Sequence, residues 1–156
     1  MAHDATPYIR QAVVARLKSA VVDDAPLPAG AIYPAKAPPS APYEKLQFGQ
    51  PVTIPFLAGC LDGTTTTFAV HSYAETTGEG DDTVGGERRA GDLAAWAAQV
   101  LGGDDERGLS LDLQATTDCP YAATAFFEWT GTQVYGDGLG TDAFHGIATF
   151  SVTVSS

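Results

Sequence analysis

The sequence predicts an α+β fold (α/β mixed), in which a largely antiparallel β-sheet carries two main helices packed on it. Three observations predict it. Apolar residues recur at helical spacing in two separate segments, Ile9 to Val21 and Leu93 to Leu101. Two long stretches near the C-terminus, 123–135 and 144–154, alternate apolar and polar residues across a glycine-rich turn, as an antiparallel pair does. The length of 156 residues, with 44% hydrophobic and 17% charged, suits one globular domain spanning 1–156.

The first helix opens at Thr6-Pro7. Thr6 is placed to cap free N–H groups, and Pro7 suits the first helical position. Ile9, Val13, Leu17 and Val21 make one apolar stripe, and Asp23-Asp24 with Pro26 and Pro28 stop it. Pro26, Pro28, Pro34, Pro38, Pro39 and Pro42 make 25–42 an extended connector holding a short strand at Ile32-Tyr33. Tyr43 to Phe48 reads as a strand, and Pro51 to Phe56 as another that its prolines confine to an edge. Leu61-Asp62-Gly63-Thr64 reads as the turn of a hairpin between 51–58 and 64–73. The acidic, glycine-rich stretch 74–89 reads as a mobile loop. The second helix carries Trp96 as a core residue and ends at Gly102 in a left-handed cap. Leu109, Leu111 and Leu113 alternate as in a half-buried strand. On the last strand Ala148, Phe150, Val152 and Val154 share one face, and this strand reads as an edge open to another chain.

The net charge is −11, and the bases cluster early. Beyond residue 50 only Arg88, Arg89 and Arg107 are basic. Such a surface repels phosphate backbones, which argues against sequence-specific nucleic-acid binding. Cys60 and Cys119 do not make a disulfide framework, and sequence leaves open whether the fold brings them together. The start Met1-Ala2-His3-Asp4 lacks the pattern of a signal peptide, and no apolar run is long enough to span a membrane. The expectation is a chain kept in the cytosol or assembled there into something larger.

Motifs for catalysis are thin. GxSxG, HExxH and a phosphate-binding GxxxxGK[ST] are absent from the sequence. His3, His71 and His145 lie far apart; His71 in a strand reads as structural, and His145 as exposed at a strand edge. Asp137 to Asp142 offers two carboxylates where calcium wants six or more oxygens, so no metal site is expected. Trp129 and Tyr135 suit either a core or an interface.

One order of segments carries more. The amphipathic helix Ile9 to Val21 is followed by Ile32-Tyr33-Pro34 and then by Pro42-Tyr43 to Gly49. Next come the strand Phe68-Ala69-Val70-His71-Ser72-Tyr73, the Gly78 to Leu101 loop and helix, and a last strand with Phe150-Ser151-Val152. Over roughly 8–154 this resembles the tail terminators of tailed phages, also called tail completion or minor tail proteins, including forms in gene transfer agents. Two features depart from the family's pattern: Glu44-Lys45 interrupts an apolar run, and the 74–89 loop is long.

The resemblance implies a structural virion protein located in the tail and assembled in the bacterial host cytoplasm. It implies a homo-oligomeric six-fold ring that caps the tail tube protein, ends tube polymerisation and docks the head-tail connector (stopper) protein. DNA would pass through the lumen without sequence-specific binding, and no membrane, catalysis, cofactor or metal is implied. A ring of one protein needs two different patches that meet on neighbours. The candidates are Ile54 and Phe56 on the 51–58 edge, Phe150, Val152 and Val154 on the last strand, and Tyr43, Glu44 and Lys45. Glu79, Asp81, Asp82, Asp104, Asp105 and Glu106 are candidates to face the lumen or a partner ring. A head-tail connector, a tail tube protein, and a small enzyme or ligand-binding domain using His71 or His145 are the competing expectations.

Overall fold

A 14-residue strand followed by a 15-residue one sets the frame. β2 (Lys45–Ala58) and β3 (Leu61–Glu75) pair antiparallel over nearly their whole length. The computed structural model describes residues 3–22, 25–58, 61–76, 85–102, 108–136 and 143–155, with side chains of 56–58 and 61–62 excepted. The remaining elements in chain order are α1 (Thr6–Ser19), β1 (Ile32–Tyr33), α2 (Gly86–Gly102), β4 (Leu109–Asp112), α3 (Leu113–Thr116), β5 (Thr124–Gly136) and β6 (Ala143–Ser155). They form one six-stranded sheet in the order β1-β2-β3-β6-β5-β4. Only β1 runs parallel to its neighbour; the other pairs are antiparallel. The expected fold class is what is found.

The two main helices cover one sheet face. α2 lies across β3, β6 and β5, and α1 packs against α2, β1 and β2. The period-two alternation of the strands turns Leu46, Phe48, Phe68, Val70, Ala148, Phe150 and Val152 toward these helices, where all are buried. Phe68 sits at the centre, stacked on Phe48 at 4.8 Å and on Phe150 at 5.2 Å, with Phe127 edge-on at 6.3 Å. The α1 stripe of Ile9, Val13 and Leu17 is buried with Ala12. The Arg16 guanidinium donates to the carbonyl of Val100 at 3.0 Å, joining the C-terminal ends of α1 and α2. Trp96 is half-buried against this core.

Several local expectations change. Thr6 does not cap α1: its N–H donates to Asp4 Oδ1 at 3.0 Å, and its hydroxyl meets Thr53 Oγ1 of β2 at 2.5 Å. The two strands expected over 43–56 are one strand, bent by a bulge between Gly49 and Val52 where Gln50 takes φ +54°. Asp62-Gly63 is not the hairpin turn; Leu57 pairs with Asp62 and Phe56 with Gly63, so the ladder runs past it. Gly102 is helical, and the described glycines at positive φ are Gly108 and Gly131. Leu113 leaves the strand to start α3, because the Asp112 carboxylate accepts from the Ala115 N–H at 3.2 Å. The 25–42 connector contains a 3-10 turn at Ala29–Ala31 before β1, and the Arg89 guanidinium of α2 fastens it by donating to the carbonyl of Pro26.

The largest correction concerns β6. It is flanked by β3 and β5 and is therefore central, not an edge. Phe150, Val152 and Val154 are at most 4% exposed, so these three interface candidates are core residues. Cys119 is a buried free thiol, and Cys60 lies outside the described residues.

Candidate functional site: the sheet face away from the helices and two strand edges

The sheet face away from the helices collects the alternate residues of every strand. Cross-strand register places Lys45, Tyr73, His145 and Tyr135 in one row across β2, β3, β6 and β5. The next row holds Gln47, His71, Ile147 and Gln133. His71 and His145, 74 residues apart in sequence, meet here with Nδ1 of His71 2.7 Å from Nε2 of His145. His145 Nδ1 lies 2.9 Å from the Tyr135 hydroxyl, and its ring stacks on Tyr73 at 4.3 Å. His145 is thus half-buried on a central strand rather than exposed at an edge.

His71 is 6% exposed, and its ring lies over the backbone of Gly49. A Cβ at Gly49 would stand 2.9 Å from Cδ2 of His71, so the absence of a side chain there makes room for the imidazole. Burial, reinforced by the neighbouring His145, pushes the His71 pKa below its ordinary value. Ser72 faces the opposite way and donates to the carbonyl of Ala90 in α2 at 2.8 Å, so this hydroxyl does not share a face with the histidines. The pair can hold and share a proton; as a structural reading of His71 this fits, with His145 as the partner that sequence did not identify.

The connector folds over one end of this face. The Ala37 N–H donates to Gln47 Oε1 at 3.2 Å, and a pocket of about 390 Å³ forms among Lys36, Pro38, Tyr43, Lys45, Gln47 and Tyr73. The Lys45 ammonium sits over the Tyr43 and Tyr73 rings, 5.3 and 4.9 Å from their centroids. Glu44 accepts from Arg89 of α2 at 2.5 Å, and the carboxylate holds the guanidinium pKa above its ordinary value. Glu44-Lys45 interrupts the apolar pattern because one residue ties the connector to α2 and the other covers two aromatic rings.

Two stretches of strand lack a neighbour on one side among the described residues. β1 pairs with β2 only at Leu46 and Gln47, which leaves 48–58 free. β4 pairs with β5 only over Thr124–Phe127, which leaves 128–136 free. The expected 51–58 edge is therefore present. Val52 and Ile54 on the first stretch are 57% and 62% exposed, and Trp129 and Tyr135 on the second are 54% and 45% exposed. Phe56 contributes its backbone to the first edge, and its side chain is outside the described residues. The acidic candidates Glu79, Asp81, Asp82, Asp104, Asp105 and Glu106, and the 137–142 turn, also lie outside them. Among the described residues no group of three or more His, Cys, Asp or Glu could hold a metal ion, and no helix is long and apolar enough to cross a membrane.

No protein-family model and no curated protein matches the chain. The fold is similar to that of a chain in the virion of a native gene transfer agent particle. The TM-score is 0.68 with 15% sequence identity, over 99% of this chain and 99% of the other.

Proposed function

We propose that the chain is a structural virion protein, a tail terminator that closes into a ring on the end of a tail tube. The ring stops tube polymerisation and presents a docking face to the head-tail connector. The observation that carries the virion role is the end-to-end likeness to a chain of a gene transfer agent virion, which leaves almost no part of either chain unmatched. The two free edges support the ring.

β2 and β5 run in opposite directions, since each step from β2 through β3 and β6 to β5 is antiparallel. Copies related by rotation keep the same orientation, so the β2 edge of one copy meets the β5 edge of the next as an antiparallel pair. That is a head-to-tail contact between two different patches, which closes a ring when the rotation closes. Val52 lies level with Glu128 through Thr67 and Ser151, at the start of the free run of β5. Successive copies therefore pair with a stagger, and a staggered sheet closes with its strands tilted to the ring axis. Four of the five exposed large hydrophobic residues among those described lie on these two stretches, where pairing would cover them. On this reading part of the acid cluster in 75–87 or 104–106 faces the lumen or a partner ring, and carboxylates lining the lumen repel DNA over about 8 Å at physiological salt.

Negative-stain microscopy of the chain mixed with its tail tube protein tests this. Shortened tubes with a terminal cap are expected. Tubes no shorter and without caps overturn the terminator role, and long tubes grown from the chain alone assign it to the tube instead.

A further inference from the structure

The hydrogen-bonded run from Tyr135 through His145 to His71 crosses three strands, and neither the core nor the free edges require it. Its proton count is constrained. With both imidazoles neutral the run has two directions: the Tyr135 hydroxyl donates to His145 Nδ1 and His145 Nε2–H to His71 Nδ1, or His71 Nδ1–H donates to His145 Nε2 and His145 Nδ1–H to the Tyr135 oxygen. From either direction the first added charge settles on the half-buried His145 rather than the buried His71, which leaves hydrogens on both His145 nitrogens and a lone pair on His71 Nδ1. The tyrosine hydroxyl is then the acceptor, and every hydrogen bond survives. A second proton has one place left, the Nδ1 lone pair of His71. Two N–H groups would then face each other across 2.7 Å, between two positive rings.

We propose that Tyr135, His145 and His71 form a proton-operated latch, which accepts one proton intact and opens on the second at the His71–His145 contact, freeing the bonded Tyr135–His145 pair from His71 of β3.

The surroundings favour the first proton and resist the second. The Tyr73 ring stacked 4.3 Å from His145 attracts a cation. His71 is buried over Gly49 and has no room to turn away. Among the described residues, groups facing the pair include Lys45 and Gln47 from β2, Tyr43 from the connector, Tyr73 and Glu75 from β3, and Tyr135 from β5. Lys45, 4.9 Å over the Tyr73 ring, adds positive charge against a second proton, whereas Glu75 is exposed and solvent-screened. Tyr135 stands on the free stretch of β5 and stays bonded to His145, so movement of His145 away from His71 alters the edge offered to the next copy. That consequence rests on the ring reading; the latch itself is a property of the single chain.

Side-chain 15N NMR of the full chain between pH 8 and 4, with hydrogen exchange of the 128–136 amides, tests the latch without assembly. Two separated steps are expected. In the first, both His145 nitrogens are protonated while His71 Nδ1 keeps its lone pair; in the second, protection of these amides falls. Tyr135→Phe, which cannot accept from Nδ1–H, lowers the first step by about half a pH unit, since water replaces part of the lost bond. His145→Gln keeps a donor toward His71 and abolishes the first step. Independent titration of the two histidines at one midpoint, or a first step unmoved by Tyr135→Phe, overturns the latch.

Discussion

Replacing Gly49 by alanine places a methyl group against the buried His71 ring on the sheet face away from the helices. The new Cβ stands 2.9 Å from Cδ2 and 3.0 Å from Nε2 of His71. Carbon atoms prefer about 3.5–4.0 Å, so the ring has to retreat by roughly 0.5 Å or more. It is 6% exposed and tied to His145 at 2.7 Å, so retreat strains that bond or the strand beneath. Overpacking by a single methyl against one ring costs about 1 kcal/mol, the low end of the usual range, and a weakened hydrogen bond about 1 kcal/mol, which together give about 2 kcal/mol. For a chain of this size the melting temperature then falls by about 4–8 °C. Urea denaturation of the wild type, Gly49→Ala, His71→Ala and the double variant isolates the cause. The φ of Gly49 lies outside the positive range, so alanine is tolerated once the imidazole is gone. A coupling of about 2 kcal/mol between the two sites is expected. An equal cost of Gly49→Ala in both backgrounds would refute the packing account.

Four further outcomes follow from the same geometry. Ile54→Asp on the free edge of β2, an exposed position, leaves the melting temperature within about 2 °C but abolishes tube capping. Phe150→Ala instead costs about 3–5 kcal/mol of stability in a denaturant titration of the chain alone. Because the folded-state pKa of His71 is depressed from 6.5, the unfolded chain takes up a proton that the folded chain refuses. The His71 contribution is complete above pH 6.5 and is lost progressively as pH falls through the window below it. Chemical denaturation from pH 7.5 to 5 shows this slope, and it flattens in His71→Asn. Arg89→Ala removes the tie from α2 to Pro26 and Glu44. Both partners of the ion pair are partly exposed, so the loss is about 0.5 kcal/mol. Limited proteolysis reports it as faster cleavage within 25–44, and an unchanged cleavage rate would show that other contacts hold the connector.

Both helices, five of the strands and the antiparallel character were legible, because each rests on a local period. Ile9, Val13 and Leu17 are one turn apart and share a face whatever lies beside them. Residues 144–154 alternate with period two, and Phe150 and Val152 are buried as that alternation requires. Signals spanning two or three residues misled where a longer-range contact competed. Asp62-Gly63 suits a tight turn, yet the ladder from β2 continues through it. Thr6 suits a cap, yet its hydroxyl is taken by Thr53, 47 residues away. Glu44 looked like a break in a strand because Arg89, its partner, belongs to a helix 45 residues on.

By itself the sequence determined which residues could turn inward, because apolar spacing and alternation are properties of consecutive positions. It also determined the segment order on which the tail-terminator resemblance rests. Only the tertiary structure decided which strand is an edge. Edge status depends on neighbours in space, and a buried central strand such as β6 has the same alternation as a strand open on one side. The meeting of His71 with His145 over Gly49 was likewise decided by register alone. A slip of one residue between β3 and β6 would send one imidazole to the helix side and leave the other without its partner.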